Sequence, residues 1–336
     1  MRFAVGYPVR PRDGDPFVEL VNDYVEDVAE VYFAWPGDAS GRQASDDGAE
    51  ARKRLLADLQ DLRAMGVKLD LLFNAACYGS DAISERLAGS VRGTLETIAE
   101  VIGPLDVVTT TSPAVAHVVR GCAPNVDIRA SVNMRIGTVE GMGYLADLFD
   151  SFYVQRDYNR DLGRLRLLHA WAAANNKRLC VLANSGCLRF CSGQSFHDNL
   201  VAHAQQAGNS QIEGFEPLAC RRVLRDAGRT EAVLQATWVR PEDLHHYEPW
   251  FDVVKLATRT HESPRLVLDA YARRRFHGNL LELLEPGYAA LLAPLVINND
   301  SFPTDWFERT TACRGNCHTC DYCRHVLQSV SRCGIQ

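Results

Sequence analysis

The sequence contains no stretch approaching the ~20 consecutive apolar residues that a helix needs to cross a bilayer. Its first twenty residues open Met1-Arg2-Phe3 and soon reach Arg10, Arg12 and Asp13, so they lack the unbroken apolar segment of a secretory signal. Positive charge is not in excess: 36 Lys and Arg stand against 42 Asp and Glu, a formal net charge of −6. That balance gives phosphate backbones no global attraction and argues against a general nucleic-acid binder, while a local basic patch leaves a specific RNA substrate open. No repeat and no low-complexity segment is found, and both Gly-x-Ser-x-Gly and His-Glu-x-x-His are missing. A solenoid, a serine-elbow hydrolase and a helix-borne zinc peptidase are thereby set aside. The expectation is a cytoplasmic protein with no membrane partner.

What is present points to one large α/β unit. The 336 residues are 46% hydrophobic and 23% charged, close to an ordinary globular balance. Short β-branched runs alternate with longer amphipathic stretches, the pattern of repeated β-α units around a parallel sheet. Strands are expected over 2–7, 30–35, 68–75, 106–111, 127–134, 151–157, 178–184 and 252–258, with a candidate ninth at 232–239. Helices are expected over 49–65, 84–102 and 162–175, and a further helical block over 264–284. Eight strands in order predict a TIM-like (β/α)8 barrel, with an insertion from about Cys187 to Ala232 after the seventh strand. The barrel domain is expected over 1–300, followed by a cysteine-rich C-terminal extension, 301–336.

In such a barrel the chemistry sits where strands end and βα loops begin. The predicted strand ends are polar: Asn74 with Cys77, Thr109 to Ser112, Asn133 with Arg135, Gln155 with Arg156 and Asn159, Asn184 with Cys187, and Lys255 with Arg259. Taken singly, each has a plain structural explanation as a helix cap, a strand threonine or an ion pair. Six polar strand ends around one mouth are harder to explain as six independent caps.

The 11 cysteines carry the strongest signal, because in a reducing compartment they read as ligands before they read as crosslinks. Cys313, Cys317, Cys320 and Cys323 form a C-x3-C-x2-C-x2-C run that suits one [4Fe-4S] cluster or, alternatively, one zinc ion, and His318 can replace one thiolate. Cys187 and Cys191 directly after the seventh strand, with Cys220, form a second set, and Cys77 after the third strand can complete it or lie near substrate. Cys180 in mid-strand reads as a small buried hydrophobe. Cys122 and Cys333 receive the same reading.

At these residues the sequence resembles the collagenase-like peptidase U32 family. The matching pieces are Val31-Tyr32-Phe33, Asn74, Ala130-Ser131-Val132-Asn133, Arg156 with Asn159-Arg160, and Ser185-Gly186-Cys187 to Cys191 with Cys220, over roughly residues 1–260. The resemblance implies a TIM-like barrel holding a [4Fe-4S] cluster, and relatives that hydroxylate ubiquinone precursors or tRNA without molecular oxygen, some with prephenate as oxygen donor. On that basis Asn74, Asn133, Arg135, Arg156, Lys255 and Arg259 are expected to bind a small anionic substrate such as prephenate. His197, Asp198 and Asn159 are the candidate proton-transfer and orienting residues, although Asp198 or Asn199 can instead cap a helix running through His203. A metal-dependent peptidase or hydrolase, and a non-catalytic iron–sulfur subunit serving a protein partner, are the competing readings. The four-cysteine C-terminal run is not expected from the hydroxylases and suggests an additional metal centre.

Overall fold

The computed structural model describes residues 1–9, 15–38, 40, 48–204 and 212–333. Each of the eight apolar runs forms a strand: β1 (Arg2–Gly6), β2 (Val28–Phe33), β3 (Lys68–Phe73), β4 (Val107–Thr110), β5 (Asp127–Ala130), β6 (Ser151–Tyr153), β7 (Arg178–Leu182) and β8 (Val253–Lys255). All neighbours pair in parallel, and β8 returns to β1 with Arg2 opposite Val253, so the sheet closes into a barrel in sequence order. The intervening helices are α1 (Phe17–Asp23), α2 (Ala49–Ala64), α3 (Glu85–Ile102), α4 (Pro113–Cys122), α5 (Val139–Gly143) and α6 (Leu162–Ala174). α7 (Gln194–Ala202) and α8 (Ala219–Leu224) lie between β7 and β8, and α9 (Pro264–Ala272) follows β8.

Side-chain alternation places one set of strand residues against the helices. Val31, Phe33, Leu69, Leu71, Val108, Ile128, Phe152, Val181 and Val254 are buried in one apolar core with Leu55, Leu59, Ile98, Val119, Leu165 and Leu268 of the helices. Several strands stop earlier than expected because their polar ends turn. Ser131 Oγ accepts from the backbone N–H of Asn133 at 3.2 Å, starting a 3-10 turn at Val132–Met134, and a second turn at Arg156–Tyr158 ends β6.

Two expected elements are not formed. Residues 232–239 make no strand: a 3-10 turn ends at Val233, and the following chain lies beside the extension of β7, with Thr237 N–H on Cys187 O at 3.2 Å and Val239 N–H on Ala183 O at 2.8 Å. Its apolar residues, including the buried Trp238, pack outside the barrel rather than joining the sheet. The block 264–284 is not one helix. α9 stops at Ala272, Arg274 takes a left-handed backbone (φ 55°), and Leu280–Leu283 is a separate 3-10 turn.

The described C-terminal residues share the barrel's core. β9 (Leu295–Ile297) pairs antiparallel with β10 (Ser331–Cys333). Trp306 stacks on Trp238 with ring centroids 5.7 Å apart and on Tyr322 at 6.2 Å, and the Arg160 guanidinium lies 4.3 Å over Trp238. Arg160 also donates to Trp238 O at 2.8 Å and Leu234 O at 2.9 Å and lies 5.3 Å from the Trp306 ring centroid, which ties the mouth of β6 to the tail through one cation.

Candidate functional site

The barrel interior is charged where TIM barrels usually carry branched aliphatics. Arg129 on β5 is 6% exposed and donates to Glu30 of β2 at 2.6 and 3.0 Å, to Asp127 at 3.3 Å and to Ser151 at 3.1 Å. Asp70 of β3, fully buried, accepts from Thr109 Oγ1 at 2.8 Å and stands 3.6 Å from Arg129. Lys255 of β8 is buried with its ammonium 3.6 Å from the centroid of the Tyr32 ring and 5.1 Å from that of Tyr153. Burial opposes every charge here. It pushes the Asp70 carboxyl up to about 7, helped by the neighbouring Glu30, and draws the Lys255 ammonium down despite Asp70 and Glu30. Burial also works against Glu30, yet Arg129 holds that carboxyl below its ordinary value.

The raised Asp70 value fixes a sign. The folded chain holds the Asp70 proton more tightly than the unfolded chain, so this group takes stability away as pH rises from about 4 to 7. Asp70→Asn keeps an acceptor for Thr109 and removes the ionisation. The variant is expected to unfold with a flatter pH dependence across that window and to gain on the order of 2–4 kcal/mol over the parent at pH 8. Urea unfolding at a series of pH values reads this directly, and an unchanged slope would refute the assignment.

At the C-terminal mouth, Arg156 follows β6 and is 5% exposed. Its Nη1 donates to Cys187 Sγ at 3.1 Å and its Nη2 to Asn133 Oδ1 at 2.6 Å, so three sequence-predicted residues meet. Arg156 Nε and Asn74 Oδ1 are buried without a hydrogen-bond partner among the described residues. Asn74 follows β3 with the parity of Asp70 and Leu72, which directs it to the barrel axis. Arg135 ends its 3-10 turn in the left-handed region (φ 56°), a backbone that costs a non-glycine residue about 1 kcal/mol.

Other predicted site residues are held by structural partners. Asn159 is 1% exposed, and its Nδ2 donates to Leu182 O at 2.7 Å and Thr237 O at 2.8 Å, pinning the 232–239 segment to β7. Arg259 binds Ser40, with Nη2 on the backbone oxygen at 2.9 Å. Asn184 clamps Ala257 and Leu283. His197 and Asp198 lie half-buried within α7, which starts after Gly193, so Asp198 is mid-helix and does not cap it.

The loop carrying Cys187 is drawn tight. A side chain at Gly186 would meet Pro286 O at 2.6 Å, so only glycine fits. Cys191 stands within electrostatic reach of Cys220 and Cys187, and burial first, then those neighbours, raise its thiol. Cys191 Sγ is also close to the start of α8, because a Cβ built on Gly193 would lie 3.7 Å from Cys191 Sγ and 3.1 Å from Ala219 Cβ. The donor chemistry of these three thiols fits a thiophilic metal or cluster. Among the described residues, no three His, Cys, Asp or Glu side chains stand gathered around one point, so binding would require the thiols to turn inward.

Cys313, Cys317 and Cys320 are exposed and Cys323 is half-buried, its thiol pushed up to about 11 by burial. Cys317 feels Arg189 of the Cys187 loop, and Cys323 feels Arg160, so the C-terminal run lies beside the mouth. Cys77 is different. Its thiol is lowered, first by a hydrogen bond to His203 and then by the Gly79 N–H at 3.3 Å, and no other cysteine is among the groups acting on it. His203 was not legible as a site residue. It closes α7 at its C-terminal end, in an insertion that gave no strand-end signal.

A cavity of about 1140 Å³ opens at the opposite, N-terminal end of the barrel, lined by Arg63, Asp106, Arg120, Asp150 and Arg178 among others. Three of its cations pair with lining carboxylates, Arg63 with Asp106 at 2.7 Å, Arg120 with Asp150 at 2.6 Å and Arg178 with Asp127 at 2.6 Å. That pairing serves the end of the barrel associated with stability.

No family model matches the chain. Over 160 residues it is 25% identical to the uncharacterized protease MJ1657 of Methanocaldococcus jannaschii, a match covering 46% of this chain and 46% of that protein. The chain thus aligns with less than half the length of this curated relative. Among solved structures, the U32 peptidase Mk0906 superposes with a TM-score of 0.52 at 16% identity, over 76% of this chain and 92% of that one. The barrel is the fold of that peptidase.

Proposed function

We propose that the chain is an iron–sulfur-dependent enzyme that modifies a substrate held at the barrel mouth, by hydroxylation without molecular oxygen. The observation that carries this reading is Arg156, whose guanidinium links Cys187 Sγ to Asn133 Oδ1 at the end of β6. Cys187, Cys191 and Cys220 would hold the cluster, and Cys313, Cys317, Cys320 and Cys323 would hold a second centre, a cluster or zinc. When bound, the barrel centre would supply one-electron or Lewis-acid chemistry next to the substrate.

The chain's own residues do the rest. Arg156 fixes the rotamer of Cys187 and offers Nε to an anionic group, because guanidinium pairs bidentately with carboxylates. A dicarboxylate such as prephenate has one group for Arg156 and one for Arg135. Asn74 Oδ1 accepts from a hydroxyl or N–H on the axis. Lys255, buried under the Tyr32 ring, sets the positive potential beneath the mouth.

Anaerobically reconstituted protein incubated with prephenate and candidate acceptors tests this, with products followed by mass. One added oxygen on the acceptor is expected. Full cluster occupancy with electron transfer to a protein partner but no modified acceptor would establish the non-catalytic subunit instead. A hydrolytic reading is favoured by one separate observation, the contact between Cys77 and His203, and by the word protease or peptidase in the names of both relatives.

A further inference from the structure

The chain carries its positive charge almost wholly as arginine. Of 36 basic side chains only four are lysine; Lys53 and Lys68 are exposed and Lys177 is half-buried, whereas Lys255 is 9% exposed inside the barrel. For an interior ion pair the fold uses Arg129, which forks onto Glu30. Lys255 makes no such pair among the described residues, and its ammonium lies against the faces of two rings, Tyr32 at 3.6 Å and Tyr153 at 5.1 Å from the centroids. Arginine keeps its charge at any physiological pH. What lysine adds at this position is an amine that can lose its proton and attack a carbon.

The surroundings suit that reaction. Asp70, fully buried on β3, has Oδ1 without a partner among the described residues, while Oδ2 accepts from Thr109 and stands 3.6 Å from Arg129. Arg129 Nη1 also donates to Tyr153 Oη at 3.4 Å, so Lys255, Tyr153, Arg129 and Asp70 form one connected group in the barrel interior. Burial draws the Lys255 ammonium down to about 8; Asp70 and Glu30 oppose that shift, and Arg129 and Arg259 add to it. The group is open toward the mouth. Two residues beyond Lys255 on the same face, Ala257 is half-exposed and packs with Val132, Tyr153 and Leu182. At the mouth, the buried Arg156 Nε is a donor without a partner among the described residues, which suits a carboxylate.

We propose that Lys255 is the amine of an imine-forming site for 2-oxo acids, the ketone carbon at Nζ and the carboxylate directed to Arg156. Neutral Nζ bonds to the ketone carbon, and a nitrogen proton moves to the ketone oxygen, giving a carbinolamine. The Asp70 carboxyl gives a proton to that hydroxyl, which leaves as water while the C=N bond forms. The Asp70 carboxylate then takes a proton from the carbon next to the imine, giving an enamine. Return of a proton and of water releases the ketone and the free lysine, with the carbon's proton exchanged for one from solvent. The inference rests on the preceding reading only in placing an anionic substrate at the mouth; it uses neither a cluster nor oxygen transfer.

The test uses the reconstituted full chain with pyruvate and sodium cyanoborohydride, and peptide mapping by mass. Hydride from the reagent converts an imine to a stable secondary amine. One carboxyethyl group is therefore expected on Lys255, formed at least ~10-fold faster than on Lys53, Lys68 or Lys177. Lys255→Arg keeps the charge and should lose the adduct with the iron content unchanged. Asp70→Asn should slow the adduct by ~10-fold or more and, in heavy water, slow the exchange of the pyruvate methyl protons followed by NMR. Acetone, which lacks the carboxylate, should show no preference for Lys255. Equal labelling of the four lysines, or an unmodified Lys255, would overturn the proposal, and the same preference with acetone would overturn the choice of 2-oxo acids. Neither readout involves iron or an oxidised acceptor, so a failed hydroxylation assay leaves both results standing.

Discussion

Arg129→Ala is expected to lower stability by about 3–5 kcal/mol or more, enough to remove a large share of the 5–15 kcal/mol typical of a folded domain. The reason is what remains when the guanidinium goes. Asp127 would keep Arg178, but Glu30 and Asp70 would be left in the barrel interior with Lys255 as their nearby cation, and Glu30 would lose both of its Arg129 hydrogen bonds. A buried carboxylate without a partner must either take a proton or open the barrel to water. Arg129→Met should be nearly as damaging at neutral pH, because it restores volume and not charge. Adding Glu30→Gln to Arg129→Met should recover part of the loss, and a double-mutant cycle by urea unfolding would measure the coupling. A loss below about 1 kcal/mol for Arg129→Ala would mean that the interior network is hydrated and weak.

Cys187→Ala is expected to remove the iron of the barrel centre altogether, while Cys320→Ala leaves it in place and empties only the second. Cys187 is the thiol held from two directions, by Arg156 at 3.1 Å and by the Gly186 turn against Pro286. Its loss takes away the best-oriented donor, and Cys191 and Cys220 together supply only two sulfurs. Arg156→Lys is the informative companion, since lysine keeps the charge but cannot bridge Cys187 and Asn133 at once. Iron should still bind there, with a shifted reduction potential, because a hydrogen bond to a ligand sulfur tunes a cluster without holding it.

The barrel could be read from the sequence because β-branched runs at regular spacing leave little choice but a closed parallel sheet. Strand ends are overestimated by four residues where Ser131 and Gln155 start 3-10 turns, since a polar residue after an apolar run looks like its continuation. Residues 232–239 misled for a related reason. Trp238 and Val239 are apolar because they cover the outside of the barrel under Trp306, a contact made by residues far apart in the chain.

The site was legible where neighbours in sequence are neighbours in space. Arg156, Asn133 and Cys187 stand at consecutive strand ends and do meet. Lys255 and Arg259 carry the same strand-end signal, and the fold sets the first against the Tyr32 ring and the second on Ser40. Glu30, Asp70 and Arg129 each put a charge inside an apolar strand run, which is the signal the sequence carries for this group. His203 offered no such clue, because its meeting with Cys77 depends on an insertion folding across the whole mouth.

Metal and sulfide analysis of the anaerobically reconstituted protein, with its electron paramagnetic resonance spectrum after reduction, tests the thiolate centre most directly. The account predicts about four irons and four sulfides that survive in Cys320→Ala and vanish in Cys187→Ala, in keeping with one cubane held by the barrel. A parent protein that binds zinc without iron, or iron that persists undiminished in Cys187→Ala, would contradict it.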